Sequence, residues 1–308
     1  MNRLYVLESQ FSVTGSMADH RLRIVPSQIA LFARALAAQL LRAHSISLPL
    51  IPPAGELPEE QDKWLRAVAK DLAGHRGRCV VVAGSSLPPE VHALVHLLNT
   101  GLGNVGPVVR YTEEPEPGGQ MEDIRDLSRA LDAGQVETLV VLGGNPAYDG
   151  PADLDLPAKI AKVAHTVRLG LHEDETSAAC TWHVPSAHFL ESWGDSRAWD
   201  GTLGIQQPLI APLYEGRSEL EFLALLLERP EQNGYEIVRE FHREAWGSAA
   251  FDPRWERALH DGTVGGTAFR EVPATPDPGT VTRAVVRMDA PAPPSGQALE
   301  VLFRPDPW

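Results

Sequence analysis

Two cysteines, Cys79 and Cys180, are the only thiols among 308 residues. Two sulfurs cannot by themselves hold an iron–sulfur cluster or a four-cysteine zinc site. One disulfide between them is conceivable, but each stands at the head of an apolar run, so two unpaired core thiols are the expectation. Long hydrophobic runs are missing as well. The longest, Ile29 to Leu41, is broken by Arg34 and Gln39. It falls short of the roughly 20 apolar residues that span a bilayer, so no direct membrane insertion is expected. The opening Met1-Asn2-Arg3-Leu4-Tyr5-Val6-Leu7 reads as a strand and lacks the basic lead and apolar core of a signal peptide. Basic runs are absent too: 27 Lys and Arg face 41 Asp and Glu, a net charge of -14. Such a chain repels phosphate backbones, and nucleic acid is not an expected partner. No Gly-x-Gly-x-x-Gly fingerprint, Walker A loop, His-Glu-x-x-His pair or Gly-x-Ser-x-Gly elbow occurs.

What is present is enough apolar material, 43% of residues, for a sizeable core. Leu4–Leu7 reads as a buried strand, and Pro26 opens a helix through Ile29, Phe32, Leu36 and Leu40. Glu59–Leu72 reads as a second helix. Strand-like runs at 79–83, 108–109, 138–142 and 166–171 then alternate with helical stretches at 88–98, 121–131 and 156–163. Apolar runs alternating with helices predict a mostly parallel sheet covered on both faces, a Rossmann-like three-layer α/β domain over 1–228. Thr138–Leu142 is its expected buried central strand. Residues 172–217 are poorly periodic. Ser218 caps a helix with Glu219 and Glu221 in its first turn. Residues 229–262 form a helical appendage, 263–297 a Pro/Gly-rich linker, and 298–308, with its strand-like Leu299–Phe303, the start of a truncated following domain.

In such a sheet, ligands bind beyond the carboxyl ends of the strands. Three ends stand out: Gly84-Ser85-Ser86, Gly143-Gly144-Asn145-Pro146 and His172-Glu173-Asp174-Glu175-Thr176. The glycines permit close backbone approach, and Asn145 has a donor for a phosphate or a base edge. On the residues alone, Gly-Gly-Asn-Pro reads first as a plain strand-to-helix turn. The acids Glu173, Asp174 and Glu175 would repel a pyrophosphate, which favours a protein surface there. Trp182, Trp193 and Trp199 lie near one another in the sequence and fit either a partner interface or a local core. His172, His183 and His188 cluster with Asp195 and Asp200, but no pair has metal-site spacing, and no bound metal is expected.

Several segments go beyond composition. Val140–Pro146, Glu175-Thr176-Ser177-Ala178-Ala179-Cys180, and the stretch from His183-Val184-Pro185 to Phe189-Leu190-Glu191 resemble segments of the molybdopterin oxidoreductases. Trp193-Gly194-Asp195, Asp200-Gly201 and Gln206-Gln207-Pro208 continue the likeness. One branch is closer still, the molybdopterin-oxidoreductase-like, iron–sulfur-bearing subunit of alternative complex III, a bacterial quinol-oxidising respiratory complex. Its marks are Met17–Arg21, Tyr148-Asp149-Gly150-Pro151-Ala152-Asp153-Leu154-Asp155, His172–Thr176, Pro208–Tyr214 and Phe303–Pro307.

That resemblance implies a molybdenum-enzyme fold without the molybdopterin cofactor. It implies an iron–sulfur module elsewhere in the parent, with cytochrome c and quinol-binding membrane subunits as partners, on the periplasmic face of a membrane-associated complex. This chain then reads as a middle fragment with no complete catalytic site, and Glu173, Asp174, Glu175, Trp182, Trp193 and Trp199 as interface residues. Under the rival implication, a true molybdopterin oxidoreductase, Gly143, Gly144, Asn145, Pro146 and Thr176 touch part of a molybdopterin guanine dinucleotide. A free-standing nucleotide-binding α/β protein is the third reading.

Overall fold

The computed structural model describes residues 2–49, 51, 56–113, 121–288, 295 and 297–302. Contacts divide the chain into two compact units, Met1–Tyr111 with Glu271–Trp308, and Thr112–Arg270. The division does not follow the expected boundaries at 228, 262 and 297.

In the first unit, β1 (Tyr5–Glu8) pairs in parallel with β2 (His20–Arg23), Tyr5 opposite His20. The short α1 (Val13–Ser16) lies between them, its first turn capped by Ser12. Helix α2 (Pro26–His44) begins at a proline, whose missing N–H would find no helical partner there anyway. Helix α3 (Glu59–Gly74) carries Glu59, Glu60 and Asp62 in its first turn, where the helix dipole favours them. With α4 (Pro89–Gly101) these helices bury an aliphatic core around Leu36, Leu40, Leu65, Leu94 and Leu98. The expected strand at 79–83 does not form. Asn99, buried on α4, accepts from Val81 N (3.0 Å) and donates to Val81 O (2.8 Å), filling the place of a neighbouring strand. Val108–Val109 yields only an isolated bridge, Val105 to Val109.

The second unit starts with α5 (Met121–Asp132) and β3 (Thr138–Leu142). Then come α6 (Pro146–Asp149), a 3-10 turn at Ala152–Leu154, α7 (Leu156–Ile160), β4 (His165–Gly170), α8 (Glu175–Ala179) and β5 (Trp182–Pro185). The three strands form a parallel sheet in the order β3-β4-β5. Thr138–Leu142 is therefore an edge strand, half-buried over most of its length, and β4 holds the centre instead. The poorly periodic stretch hides a hairpin of β6 (Gly194–Arg197) and β7 (Leu203–Gln206). Helix α9 (Glu219–Leu226) follows, with Ser218 and Glu221 forming a capping box. After α10 (Gly234–Trp246) and α11 (Phe251–Asp261), β8 (Thr263–Val264) pairs antiparallel with β7. This subregion encloses Leu203, Ile205, Val238, Phe251 and Trp255.

The chain then rejoins the first unit through α12 (Pro278–Arg287), inside the expected linker. Asp277 caps it, accepting from Thr280 N at 2.7 Å, and Val281 and Val285 enter the aliphatic core. Residues 299–302 form no strand, and Leu299 and Val301 are exposed. Residue 303 onward, with the Phe303–Pro307 mark, lies outside the described residues. The class is thus mixed α/β, but among the described residues the strands sit in three small sheets rather than one continuous doubly covered one.

Candidate functional site

The carboxyl ends of β3 and β4 carry the two loops singled out from the sequence, and a residue the sequence reading passed over ties them together. Arg168 stands in the middle of β4 and is buried to 4% exposure. Its Nη1 donates to the carbonyls of Gly143 (2.7 Å) and Leu169 (2.9 Å). Its Nη2 donates to the carbonyl of Gly144 and, at 2.9 Å, to Asp174 Oδ2. Its Nε has no partner among the described residues. The two glycines direct their carbonyls inward from left-handed conformations, φ +59° at Gly143 and +61° at Gly144, which side chains disfavour.

A second set of bonds closes the same loops from the other side. Asn145 Oδ1 accepts from Thr176 N (3.2 Å) and Thr176 Oγ1 (2.7 Å), and Asn145 Nδ2 donates to Glu175 Oε2 (2.8 Å). Thr176 Oγ1 in turn accepts from Ala147 N at 3.1 Å. Asp174 caps α8, its Oδ1 accepting from Ser177 N (2.8 Å) and Ser177 Oγ (2.9 Å). Burial alone would raise its carboxyl pKa, but the hydrogen bonds from Arg168 and Ser177 prevail and hold it at about 2. The bond from Asn145 lowers Glu175 below the usual carboxylate range.

The acidic run is therefore not three free charges. Asp174 is neutralised by a buried guanidinium, and Glu175 is bonded to Asn145. Only Glu173 is exposed with no partner among the described residues. The expected repulsion of a pyrophosphate by three acids shrinks accordingly. Of the five dinucleotide-binding candidates, two are engaged within the loops themselves. Thr176 is fully buried, and both ends of the Asn145 amide are occupied. The outer side of Gly144 is open, with nothing within 4 Å of an added Cβ.

The other candidates scatter. Trp193 is half-buried, edge-on to Tyr235 at 4.9 Å and packed against the second core. Trp182 and Trp199 present their rings outward, at 66% and 96% exposure. His183 Nδ1 lies 2.9 Å from Ser177 Oγ, His188 Nδ1 accepts from Leu190 N, and Asp195 pairs with the buried His242 at 2.6 Å. Among the described residues no three His, Cys, Asp or Glu side chains come together as a metal site, and Cys79 and Cys180 are free thiols. No helix among them is long and apolar enough to cross a membrane. The sequence signal for Arg168 was faint: one arginine interrupting an apolar strand, six residues before an aspartate.

No family model and no curated protein matches the chain. Among solved structures, acetylene hydratase from Pelobacter acetylenicus is similar, with a TM-score of 0.50 and 13% identity. The match covers 77% of this chain and 45% of that one, so this chain spans under half of its length. At that identity the likeness concerns the fold.

Proposed function

We propose that this chain is a scaffold part of a molybdopterin-oxidoreductase-like subunit in a quinol-oxidising respiratory complex, without an active site of its own. The observation that carries the reading is the closure of the strand-end loops around Arg168. Three carbonyls and one carboxylate at the strand ends are engaged by one internal guanidinium. The fold likeness to acetylene hydratase, a molybdopterin enzyme, fits the broader kind. In this reading an iron–sulfur module, cytochrome c and quinol-binding membrane subunits are the partners, at the periplasmic face. Exposed Trp182, Trp199 and Glu173 supply contact surface, and no pterin is held.

The test is pterin fluorescence after oxidative release, together with molybdenum analysis, on the parent purified from its native membranes. Background levels of both are expected. Stoichiometric pterin and molybdenum would overturn the scaffold reading in favour of a second one, part of a molybdopterin guanine dinucleotide lying along Gly143–Pro146. The open outer side of Gly144 favours that second reading.

A further inference from the structure

We propose that the cleft between α5 and α7 binds a small phosphate-bearing anion. Arg125, Ser128, Arg129 and Asp132 recur at i, i+3, i+4 and i+7 on α5 and so share one face. Lys159 of α7 and Leu154 of the preceding turn complete the lining of an open cleft of about 490 Å³. That volume lies within the ordinary range of small-molecule sites, roughly 300–1,000 Å³. The ammonium is preset: Lys159 Nζ sits 2.6 Å from Ser128 Oγ and 2.7 Å from Asp132 Oδ2, with its side chain 18% exposed. Ser128 is buried. Arg129 pairs with Asp126, which lies outside the lining. Arg125 has no ion pair or hydrogen bond among the described residues and is exposed.

The lining therefore holds three cations and one carboxylate, with Arg129 and Lys159 matched by Asp126 and Asp132 and Arg125 as the excess charge, in a chain whose net charge is -14. Asp132 opposes an anion but also orients Lys159, and the two guanidiniums and the ammonium all line the cleft. Donors from several directions suit a tetrahedral oxyanion better than a planar carboxylate, and guanidinium forks match phosphate oxygens.

Calorimetric titration of inorganic pyrophosphate into the full chain tests this, with succinate as the dicarboxylate control. Saturable one-to-one binding of pyrophosphate, tighter than succinate, is expected. Arg125→Gln should weaken it about five-fold, the loss of one solvent-facing charge contact of about 1 kcal/mol, and Arg125→Lys should restore most of it. Because Arg125 is exposed and has no partner among the described residues, the melting temperature without ligand should stay at the wild-type value. Absence of saturable binding would overturn the proposal. So would equal binding by Arg125→Gln, which places the anion elsewhere, or equal affinity for succinate, which removes the phosphate assignment.

Discussion

Each unit uses an asparagine side chain to bind backbone that no strand reaches, fully buried at Asn99 and half-buried at Asn145, and the surroundings differ. In the first unit Asn99 clasps Val81 from both sides, and Asn104 Nδ2 donates to Asn99 Oδ1 at 3.0 Å. Every group there is neutral, and leucines surround it. In the second unit Asn145 works beside an ion pair, Arg168 with Asp174, whose side chains are 5% and 18% exposed. A neutral clasp contributes hydrogen bonds of modest net worth. A charged one creates dependence, because either partner left alone is an uncompensated charge away from water. The contrast extends to the cores, aliphatic in the first unit and rich in Trp, Phe, Tyr and His in the second. It places the second unit's strand ends under electrostatic control.

The strongest way to break this contrast is Arg168→Met. It removes the guanidinium from three carbonyls and leaves Asp174 unpaired, and should cost about 3 kcal/mol or more in urea unfolding. Adding Asp174→Asn should recover part of the loss. If Arg168→Met costs no more than Asn99→Ala, the contrast fails. Acid is a gentler probe. Asp174 sits at about 2 in the folded chain against an ordinary 3.8. Its contribution is therefore complete above pH 3.8 and drains away as pH falls toward 2. The loss should reach about 2 kcal/mol, read from urea midpoints across that range. Asp174→Asn should flatten this limb, and an unchanged limb would assign it to other carboxylates. Asn99→Ala should cost about 1.5 kcal/mol, since Val81 is half-exposed and water replaces part of the lost bonding. The loss should not vary with pH, and amide exchange at Val81 should quicken.

The same contrast explains what the sequence makes visible. The helices around the aliphatic core follow from apolar spacing, as at Ile29, Phe32, Leu36 and Leu40, and Ser218 with Glu221 announces its own cap. Periodicity fails where hydrogen bonding is supplied from outside the strand. Cys79–Ala83 has the composition of a strand, yet its partner is a helix side chain, and no local pattern encodes that. Thr138–Leu142 is a strand as its composition suggests, but its edge position depends on long-range pairing. Helix α12 was obscured by the prolines and glycines around it, although Asp277, Pro278, Val281 and Val285 carry a cap and an i, i+4 apolar pair. The strand-end glycines were legible as candidates. The buried Arg168 that fills their crevice was not, because an isolated arginine in a strand ordinarily marks a solvent-facing position.

Glu173 gives the smallest effect and the sharpest question about the surface. Of the three consecutive acids it is the one with neither a cation nor an amide against it among the described residues. Glu173→Gln should therefore change the stability of the isolated chain by less than about 0.5 kcal/mol. Glu175→Gln keeps an acceptor for Asn145 and should act only slightly more. In the complex proposed above the two positions should separate. If the strand-end face meets other protein, removing the free charge at Glu173 alters assembly and its salt dependence, since exposed charges act mainly on association rate and screening. Glu175, already bonded to Asn145 of the neighbouring loop, should leave assembly near wild type. Equal, null behaviour of both variants in assembly and in quinol-dependent electron transfer would remove Glu173 from any interface. The exposed Trp182 and Trp199 would then be the remaining grounds for placing a partner on the second unit.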